Sequence, residues 1–322
     1  MTVRDLPDTG REALALDIGG TKLAVGVVDM TGRLRERKAI ATERSAGATE
    51  VLSRALALLE GVLAEATSRG SAPVALGVAT NGITREDRVD IAPAVSGWKE
   101  LRIPAALRDR FPQLPLVIIN DVKAATVAEM TWGALRGVRD GLYVNLGTGF
   151  AVGIVAAGRL LQGANGAAGE AGYIVPSLEL LAEHQPGEAT LEERIGGRGV
   201  ESWTQKELGA TLTVAELMET SLHDRRAAAL RDRFVSETAL WIANIASVID
   251  PALIVLGGGV VRSVHDLTAR TRQLVSMLTP FPAEVRLAHF ESDSALLGAG
   301  AVALSGETHL GASSAESLHD LG

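Results

Sequence analysis

Short apolar runs alternate with polar turns along most of the chain, and this pattern predicts an α/β protein. Several of these runs end at Gly, Asn or Asp. The apolar runs predict strands near 13–18, 23–29, 34–41, 74–78, 116–119, 142–147, 150–156, 253–256 and 285–289. Leucines and alanines at helical spacing predict helices near 50–69, within 98–110, and near 124–135, 213–221, 224–249, 264–277 and 293–304. Residues 178–199 are polar and show no clear periodicity.

Two segments share one plan of strand, turn and returning strand, which indicates an internal duplication. They read LALDIGGTKLAVGVVD over 14–29 and LYVNLGTGFAVGIVAAG over 142–158. Each segment opens one half of the protein. The halves are therefore expected to close around a nucleotide, with one turn from each side holding its phosphates.

The first of these turns has the residues that a phosphate site needs. Gly19 and Gly20 let the backbone bend tightly and bring its N–H groups close to an anion. Thr21 adds a hydroxyl and Lys22 a positive charge, and Asp17 can hold a hydrated Mg²⁺ near the phosphates. The alternative is an ordinary polar hairpin turn. Both interpretations fit this segment taken alone.

Two common nucleotide motifs are excluded. No lysine follows a glycine, so a Walker A loop is missing. The dinucleotide motif also fails, because Val152 stands at its third glycine position after Gly147-Thr148-Gly149. Gly257-Gly258-Gly259 fails in the same way, since it continues into Val260 and Val261.

Composition narrows the class of protein. The 322 residues are 47% hydrophobic but only 3% aromatic and include 35 glycines, as suits an α/β protein rich in tight turns. A net charge of −8 argues against a nucleic-acid partner, and the lack of cysteine excludes disulfides and thiolate metal sites. The charged N-terminus and interrupted apolar stretches predict a cytoplasmic protein with no membrane contact.

Five motifs occur in the order and spacing typical of the ROK family of sugar kinases and sugar-responsive repressors, which the chain resembles over about 13–304. They are DIGGTK at 17–22, IND at 119–121, GTG at 147–149, AAGEAGY at 167–173 and VLGGG at 255–259. The resemblance implies an actin-like, hexokinase-type fold of two α/β domains with ATP and a sugar between them.

The resemblance also implies a division of the chain. The N-terminal domain would span 13–121 and be completed by a C-terminal helix at about 293–305, and the C-terminal domain would span 122–292. Residues 1–12 and 306–322 are expected to be disordered tails. A homodimer is an open alternative to a monomer.

The family's repressors carry a DNA-binding segment ahead of the first motif. Only sixteen residues precede Asp17 here, too few for such a segment, so a kinase is favoured. The expected activity is ATP- and Mg²⁺-dependent phosphorylation of a hexose or hexose-like acceptor. The alternative from another class is a non-catalytic sugar sensor that kept the fold.

The resemblance assigns the catalytic base to Asp121, at the end of a strand and before a helix. An Asp in that position is also a common helix N-cap, and position alone leaves the two interpretations nearly even. Asn120 would hydrogen-bond an acceptor hydroxyl.

Two further glycine turns match the family's nucleotide side. Gly147-Thr148-Gly149 resembles the second phosphate loop, although it is a hairpin turn in any case. Gly257-Gly258-Gly259 resembles the adenosine-binding edge, with close packing of a strand on a helix as the alternative. On the acceptor side, Glu170 and Glu192 match carboxylates that bind sugar hydroxyls. A solvated surface charge is the alternative for Glu192.

The chain departs from the family where most members bind a structural zinc through one His and three Cys. Here those positions read Tyr173, Glu183, Gln185 and Thr190, which predicts no zinc. Tyr173 could keep the hydrogen bond to the acceptor without a metal.

Two more departures border the family's sugar pocket. Asn81-Gly82 stands where many members have Pro-Gly, and Val95-Ser96 where an Asn is frequent. With Tyr173 they predict an acceptor other than plain glucose. A kinase of C7-cyclitols, which mimic sugars, is the leading specific alternative.

Overall fold

A computed structural model describes residues 10–84, 89–90, 97–185, 188 and 190–306. Nearly all of both expected tails lies outside these residues, and so do Val95 and Ser96. No helix within the described ranges is long and apolar enough to span a bilayer.

The first half of the chain builds a five-stranded sheet with the order β3-β2-β1-β4-β7. Its elements are β1 (Glu12–Ile18), β2 (Lys22–Asp29), β3 (Leu34–Ala41), α1 (Ala48–Ser68), β4 (Ala75–Thr80), the short pair β5 (Ile83–Thr84) and β6 (Val89–Asp90), α2 (Ile103–Arg110) and β7 (Leu116–Asn120).

The second half builds another five-stranded sheet with the order β10-β9-β8-β11-β12. Its elements are α3 (Asp121–Thr131), β8 (Gly141–Leu146), β9 (Phe150–Ala156), β10 (Arg159–Leu160), α4 (Leu178–Glu183), α5 (Glu192–Ile195), α6 (Gly197–Leu208), α7 (Val214–Thr220), α8 (Arg225–Ile249), β11 (Leu253–Gly257), α9 (Leu267–Leu278), β12 (Glu284–Leu287) and α10 (Ser294–Ser305).

The two sheets repeat one topology, which confirms the internal duplication. In each, a hairpin of antiparallel strands (β1–β2 and β8–β9) is followed by two parallel neighbours (β4–β7 and β11–β12). In the first sheet Ile18 pairs with Thr80, and Thr80 pairs with Asn120, at the carboxyl ends of three parallel strands. The residues that follow these strands therefore meet at one edge.

Apolar side chains form one cluster on the outer face of each sheet and one between the sheets. Helices α1 and α2 cover the first sheet, and α5 to α9 cover the second. The central cluster combines α3 and α10 with residues of both sheets. There α10 crosses α3 closely, because a Cβ on Gly298 would lie 1.8 Å from the carbonyl oxygen of Ala124. Only glycine permits this approach.

The structure corrects two sequence expectations. The helix expected near 124–135 begins at Asp121 and ends at Thr131, since Asn120 caps it. The segment 178–199 holds α4, α5 and the start of α6, which sequence reasoning left unassigned. Helices α4 and α5 are only six and four residues long, too short to show a helical period, and only the first three residues of α6 fall in this segment.

Candidate active site

Asn120 caps α3 at the end of β7. Its Oδ1 accepts hydrogen bonds from the amides of Val122 (3.0 Å) and Lys123 (3.1 Å). Its Nδ2 donates to the carbonyl oxygen of Gly82 at 3.1 Å. The N-cap is therefore Asn120, and the interpretation of Asp121 as the cap is wrong. The hydrogen bond to Gly82 also places the turn after β4 beside this helix.

Asp121 is the first residue of α3, and the residue as a whole is half-buried. Burial raises the pKa of its carboxyl above the ordinary value, and Glu192 raises it further. Hydrogen bonding to the amide of Val122 and the charge of Lys123 lower that pKa in part. A carboxylate that holds a proton more tightly than usual is suited to accept one from an alcohol.

Asp17 is the second-last residue of strand β1, lies near Asp121 and is only 7% exposed. Burial raises the pKa of its carboxyl to about 7; Asp121 and Asp293 add to the rise, and Lys22 opposes it. Two buried carboxylates of this kind repel each other when both are ionised. A hydrated divalent cation would relieve that repulsion, so the donor set fits Mg²⁺.

The first predicted phosphate turn is closed by a hydrogen bond of its own and is held in place by Thr42. The amide of Gly19 donates to the carbonyl oxygen of Lys22 at 3.0 Å. Thr42, fully buried after β3, donates its hydroxyl to Gly19 (2.7 Å) and its amide to Thr21 (3.0 Å). The side chain of Thr21 is exposed at the tip.

Lys22 does not point into the open turn. Its Nζ donates to the carbonyl oxygen of Ser292 at 2.9 Å and lies 3.8 Å from the carboxylate of Asp293, next to the start of α10. In this conformation the lysine ties the hairpin to α10.

The second turn, Gly147-Thr148-Gly149, rests on the start of α6. The amides of Gly197 and Arg198 donate to the carbonyl oxygens of Gly147 (2.9 Å) and Thr148 (3.1 Å). Thr148 is exposed at the tip, as Thr21 is in the first turn. The hairpin alternative and the phosphate interpretation are compatible here, because the strands pair on both sides of an accessible tip.

The third turn, Gly257-Gly258-Gly259, adjoins the second. Gly258 has φ +93°, and a Cβ there would lie 2.3 Å from the carbonyl oxygen of Leu146. The amide of Val260 donates to the same oxygen at 3.0 Å. Close packing therefore accounts for Gly258, while Gly259 is exposed beside the second turn.

Carboxylates and one lysine cluster on the acceptor side. Glu192 accepts hydrogen bonds on both carboxylate oxygens. The amide of Phe150 donates to Oε2 (3.0 Å), and the guanidinium of Arg198 donates to Oε1 (3.0 Å). Glu170 has a pKa raised by burial, Asp121 and Glu192 and lowered by Lys123. The surface-charge interpretation of Glu192 does not fit a carboxylate bound on both oxygens.

Tyr173 is half-buried beside these carboxylates. Burial raises the pKa of its phenol, and the charges of Glu170 and Glu192 raise it further. The phenol therefore stays protonated and can donate a hydrogen bond. Asn81 is half-buried in the turn whose Gly82 carbonyl binds Asn120.

Two of the positions that replace the family's zinc ligands form hydrogen bonds: the hydroxyl of Thr190 with His184, and the amide of Gln185, which donates to the carboxylate of Glu188 at 2.8 Å. His184 Nδ1 lies 2.9 Å from the hydroxyl of Thr190 and 3.9 Å from the carboxylate of Glu188. Among the residues that the structure describes, no group of three or more His, Asp or Glu side chains is arranged to hold a metal.

Sequence reasoning missed Thr42, Lys123 and Arg198. Thr42 fixes the first turn, Lys123 is buried beside Asp121, and Arg198 carries a guanidinium next to the second turn. No motif signals Thr42. For Lys123 and Arg198 the signal available was proximity in sequence to Asp121 and to the glycine-rich start of α6.

Comparison with known proteins identifies the chain's relatives. A model described as the ROK family matches residues 13–305. The glucokinase of Halalkalibacterium halodurans is 28% identical over 309 residues, covering 89% of this chain and 93% of the relative. The N-acetylmannosamine kinase of Escherichia coli O157:H7 is 30% identical over 297 residues, covering 90% and 97%.

Solved structures agree with this. A ROK family glucokinase from Streptomyces griseus, in complex with glucose and AMPPNP, superposes with a TM-score of 0.76 at 25% identity, over 92% of this chain and 100% of that one. The expected actin-like, hexokinase-type α/β fold is confirmed.

Proposed function

The chain belongs to the ROK family, and we propose that it transfers the γ-phosphoryl group of ATP to a hydroxyl group of a hexose. The observation that carries this proposal is the position of Asp121. Its carboxylate lies near Asp17, which precedes the first turn, near Glu192 at the second turn, and near Glu170.

Phosphoryl transfer depends mainly on positioning and on charge neutralisation. In the proposed reaction, the carboxylate of Asp121 accepts the proton of the acceptor hydroxyl. The hydroxyl oxygen then forms a bond to the γ-phosphorus, the bond from that phosphorus to the bridging oxygen breaks, and ADP leaves. The raised pKa of Asp121 makes it a stronger base than an exposed Asp.

The nucleotide would lie across the glycine turns. Backbone amides and the exposed hydroxyls of Thr21 and Thr148 would face the phosphates, with Arg198 near the second turn, and Gly259 would border the adenosine. Lys22 could join them only after leaving Ser292 and Asp293.

Asp17 is the group that we assign to Mg²⁺, through a bound water. Burial is the main cause of the rise of its pKa to about 7, and the carboxylates of Asp121 and Asp293 add to the rise while Lys22 opposes it. With Mg²⁺ bound, the ion would neutralise charge on the ATP phosphates.

Glu170 is the main candidate for binding acceptor hydroxyls. Among the described residues its carboxylate has no hydrogen-bond donor, whereas both oxygens of Glu192 are occupied. Asn120 has one N–H left after binding Gly82, and Tyr173 has its O–H. Asn81 and Gly82 would complete the pocket.

The comparisons favour neither the cyclitol kinase nor the non-catalytic regulator. A homodimer, a cytoplasmic location, the exclusion of nucleic acid and the lack of zinc remain predictions.

ATP turnover with a panel of acceptors tests the proposal. The panel contains glucose, mannose, fructose, allose, N-acetylated hexosamines and C7-cyclitols. We expect ADP formation that depends on a hexose, with a member other than glucose giving the highest kcat/KM, because Asn81 and Tyr173 alter the acceptor side. Sugar binding without ADP formation for every member would instead identify a sensor.

A further inference from the structure

Lys123 is a buried cation at the centre of the proposed site. It stands two residues after Asp121 in α3 and is 3% exposed. Of the lysines whose side chains the structure describes, it alone is buried; Lys22, Lys38 and Lys206 are accessible. A buried ammonium is unfavourable unless charged or polar partners compensate it, so its partners indicate its purpose.

The partners of Lys123 lie on its own helix and on a loop that is distant in sequence. Its Nζ donates to the carbonyl oxygen of Gly166 at 2.5 Å. The carboxylates of Asp121, on its own helix, and Glu170, on the facing loop, both favour its charged form. The negative charge of Glu192 raises the pKa of both of these carboxyl groups, those of Asp121 and Glu170.

The carbonyl of Gly166 belongs to the glycine- and alanine-rich loop 163–170, which ends at Glu170. This loop also approaches the first half, since a Cβ on Gly166 would lie 3.5 Å from the side chain of Ile83. Gly166 has φ +72° and Gly169 has φ +90°, conformations that few other residues adopt. The amide of Val152 in β9 donates to the carbonyl oxygen of Gly169 at 2.8 Å, and Lys123 adds a second tie, between Gly166 and α3.

We propose that Lys123 is a positioning residue for the acceptor. Lys123 anchors loop 163–170 to α3 and thereby holds the Glu170 carboxylate in place beside Asp121. This inference rests on the proposed function, in which Glu170 binds acceptor hydroxyls. The chain thereby links its acceptor-binding loop to the helix that carries the base.

The alternative is a lysine that only completes the fold, and substitutions at this position separate the two. Lys123→Met keeps the length but removes the charge and the donor, whereas Lys123→Arg keeps both. Lys206→Met, at an exposed position in the last turn of α6, is the matched control. The measurements are KM for the best acceptor of the panel, KM for ATP, kcat and melting temperature.

We expect Lys123→Met to raise the acceptor KM roughly 10- to 100-fold, the range that a lost charge-assisted hydrogen bond gives. The KM for ATP should stay within about twofold, because the described partners of Lys123, which are Asp121, Gly166 and Glu170, lie outside the phosphate turns. Lys123→Arg should recover part of the acceptor affinity. An acceptor KM unchanged in Lys123→Met, or an equal rise in both KM values, would overturn the proposal.

Amide hydrogen exchange tests the anchor without any turnover. In Lys123→Met, residues 163–170 should exchange faster than in the wild type, while Lys206→Met should leave them unchanged. Unchanged exchange in Lys123→Met would overturn the anchor. A wild type that phosphorylates no acceptor would refute the proposed function separately, and the exchange result would still decide whether Lys123 holds the loop.

Discussion

The carboxylate of Glu192 accepts a hydrogen bond from the backbone amide of Phe150, with 3.0 Å between Oε2 and N. Phe150 directly follows the turn Gly147-Thr148-Gly149, so a residue assigned to the acceptor side also fixes a proposed phosphate turn. The contact requires glycine at position 149, where a Cβ would lie 2.1 Å from the same oxygen.

Glu192→Ala should weaken both the fold and the reaction. The amide of Phe150 would lose its partner, and an unpaired buried donor costs about 1–3 kcal/mol of unfolding free energy. The acid limb of the kcat/KM profile should move to lower pH, because Glu192 raises the pKa of Asp121. Denaturant titration and pH-dependent kinetics measure these effects. Glu193→Ala, at the exposed neighbouring position, is the control, and equal stability of the two variants would contradict the prediction.

Asp121→Asn should lower kcat about 10²- to 10⁴-fold, the usual cost of losing a general base. Acceptor binding should survive, since Asn still forms hydrogen bonds, and α3 should stay intact because Asn120 provides its cap. Steady-state kinetics and calorimetric sugar binding measure the two effects. Asp109→Asn, on the exposed side of α2, controls for loss of surface charge. Near-normal kcat in Asp121→Asn would remove Asp121 from the mechanism.

Asp17 should make the stability of the unliganded protein depend on pH. Its folded-state pKa is raised from 3.8 to about 7, so the folded protein binds this proton more tightly than the unfolded chain. The contribution of this proton to the free energy of unfolding is fully present below pH ~4 and is lost as the pH rises through 7. The whole contribution is at most roughly 4 kcal/mol. Asp17→Asn should flatten this dependence.

Added Mg²⁺ tests the same residue. At pH 7 it should raise the melting temperature of the wild type more than that of Asp17→Asn, because the ion favours the ionised carboxylate. An equal response of the two proteins would place Mg²⁺ elsewhere.

Much of the fold follows from local pattern. The strands are short apolar runs bounded by turn residues, and the duplicated hairpin predicted that each half of the protein opens with the same strand–turn–strand plan, as both sheets show. The candidate site was harder to predict from the sequence, because its contacts join residues that are distant in sequence. Thr42 fixes Gly19 within the first half, and Lys123 binds Gly166 within the second, across 23 and 43 residues that no local motif spans. The start of α3 moved to Asp121 because Asn120, and not Asp121, supplies the capping oxygen.

The purified protein should contain no stoichiometric zinc. The segment that carries zinc ligands in related kinases has a hydrogen bond between His184 and Thr190 here, and Tyr173 stands in place of a ligand. Elemental analysis should find less than stoichiometric zinc, and a zinc-selective chelator should leave the melting temperature unchanged at constant Mg²⁺. One tightly held zinc per chain would show that this segment binds metal after all.

Asn120 has two assigned tasks, capping α3 and binding an acceptor hydroxyl, and two substitutions separate them. Asn120→Ala removes the cap and should lower the unfolding free energy by about 0.5–2 kcal/mol. Asn120→Ser keeps a capping oxygen and should lower the unfolding free energy by only a few tenths of that amount. Neither variant can donate from an amide to the acceptor or to Gly82.

If the remaining N–H of Asn120 binds the acceptor, both variants should raise the acceptor KM about tenfold, the cost of one hydrogen bond, although Asn120→Ala is destabilised more than Asn120→Ser. Denaturant titration gives the stabilities, and initial rates at saturating ATP give the KM values. A wild-type KM in Asn120→Ser together with a raised KM in Asn120→Ala would mean that Asn120 acts through the helix alone. The acceptor would then depend on Glu170 and Tyr173 for its orientation next to Asp121.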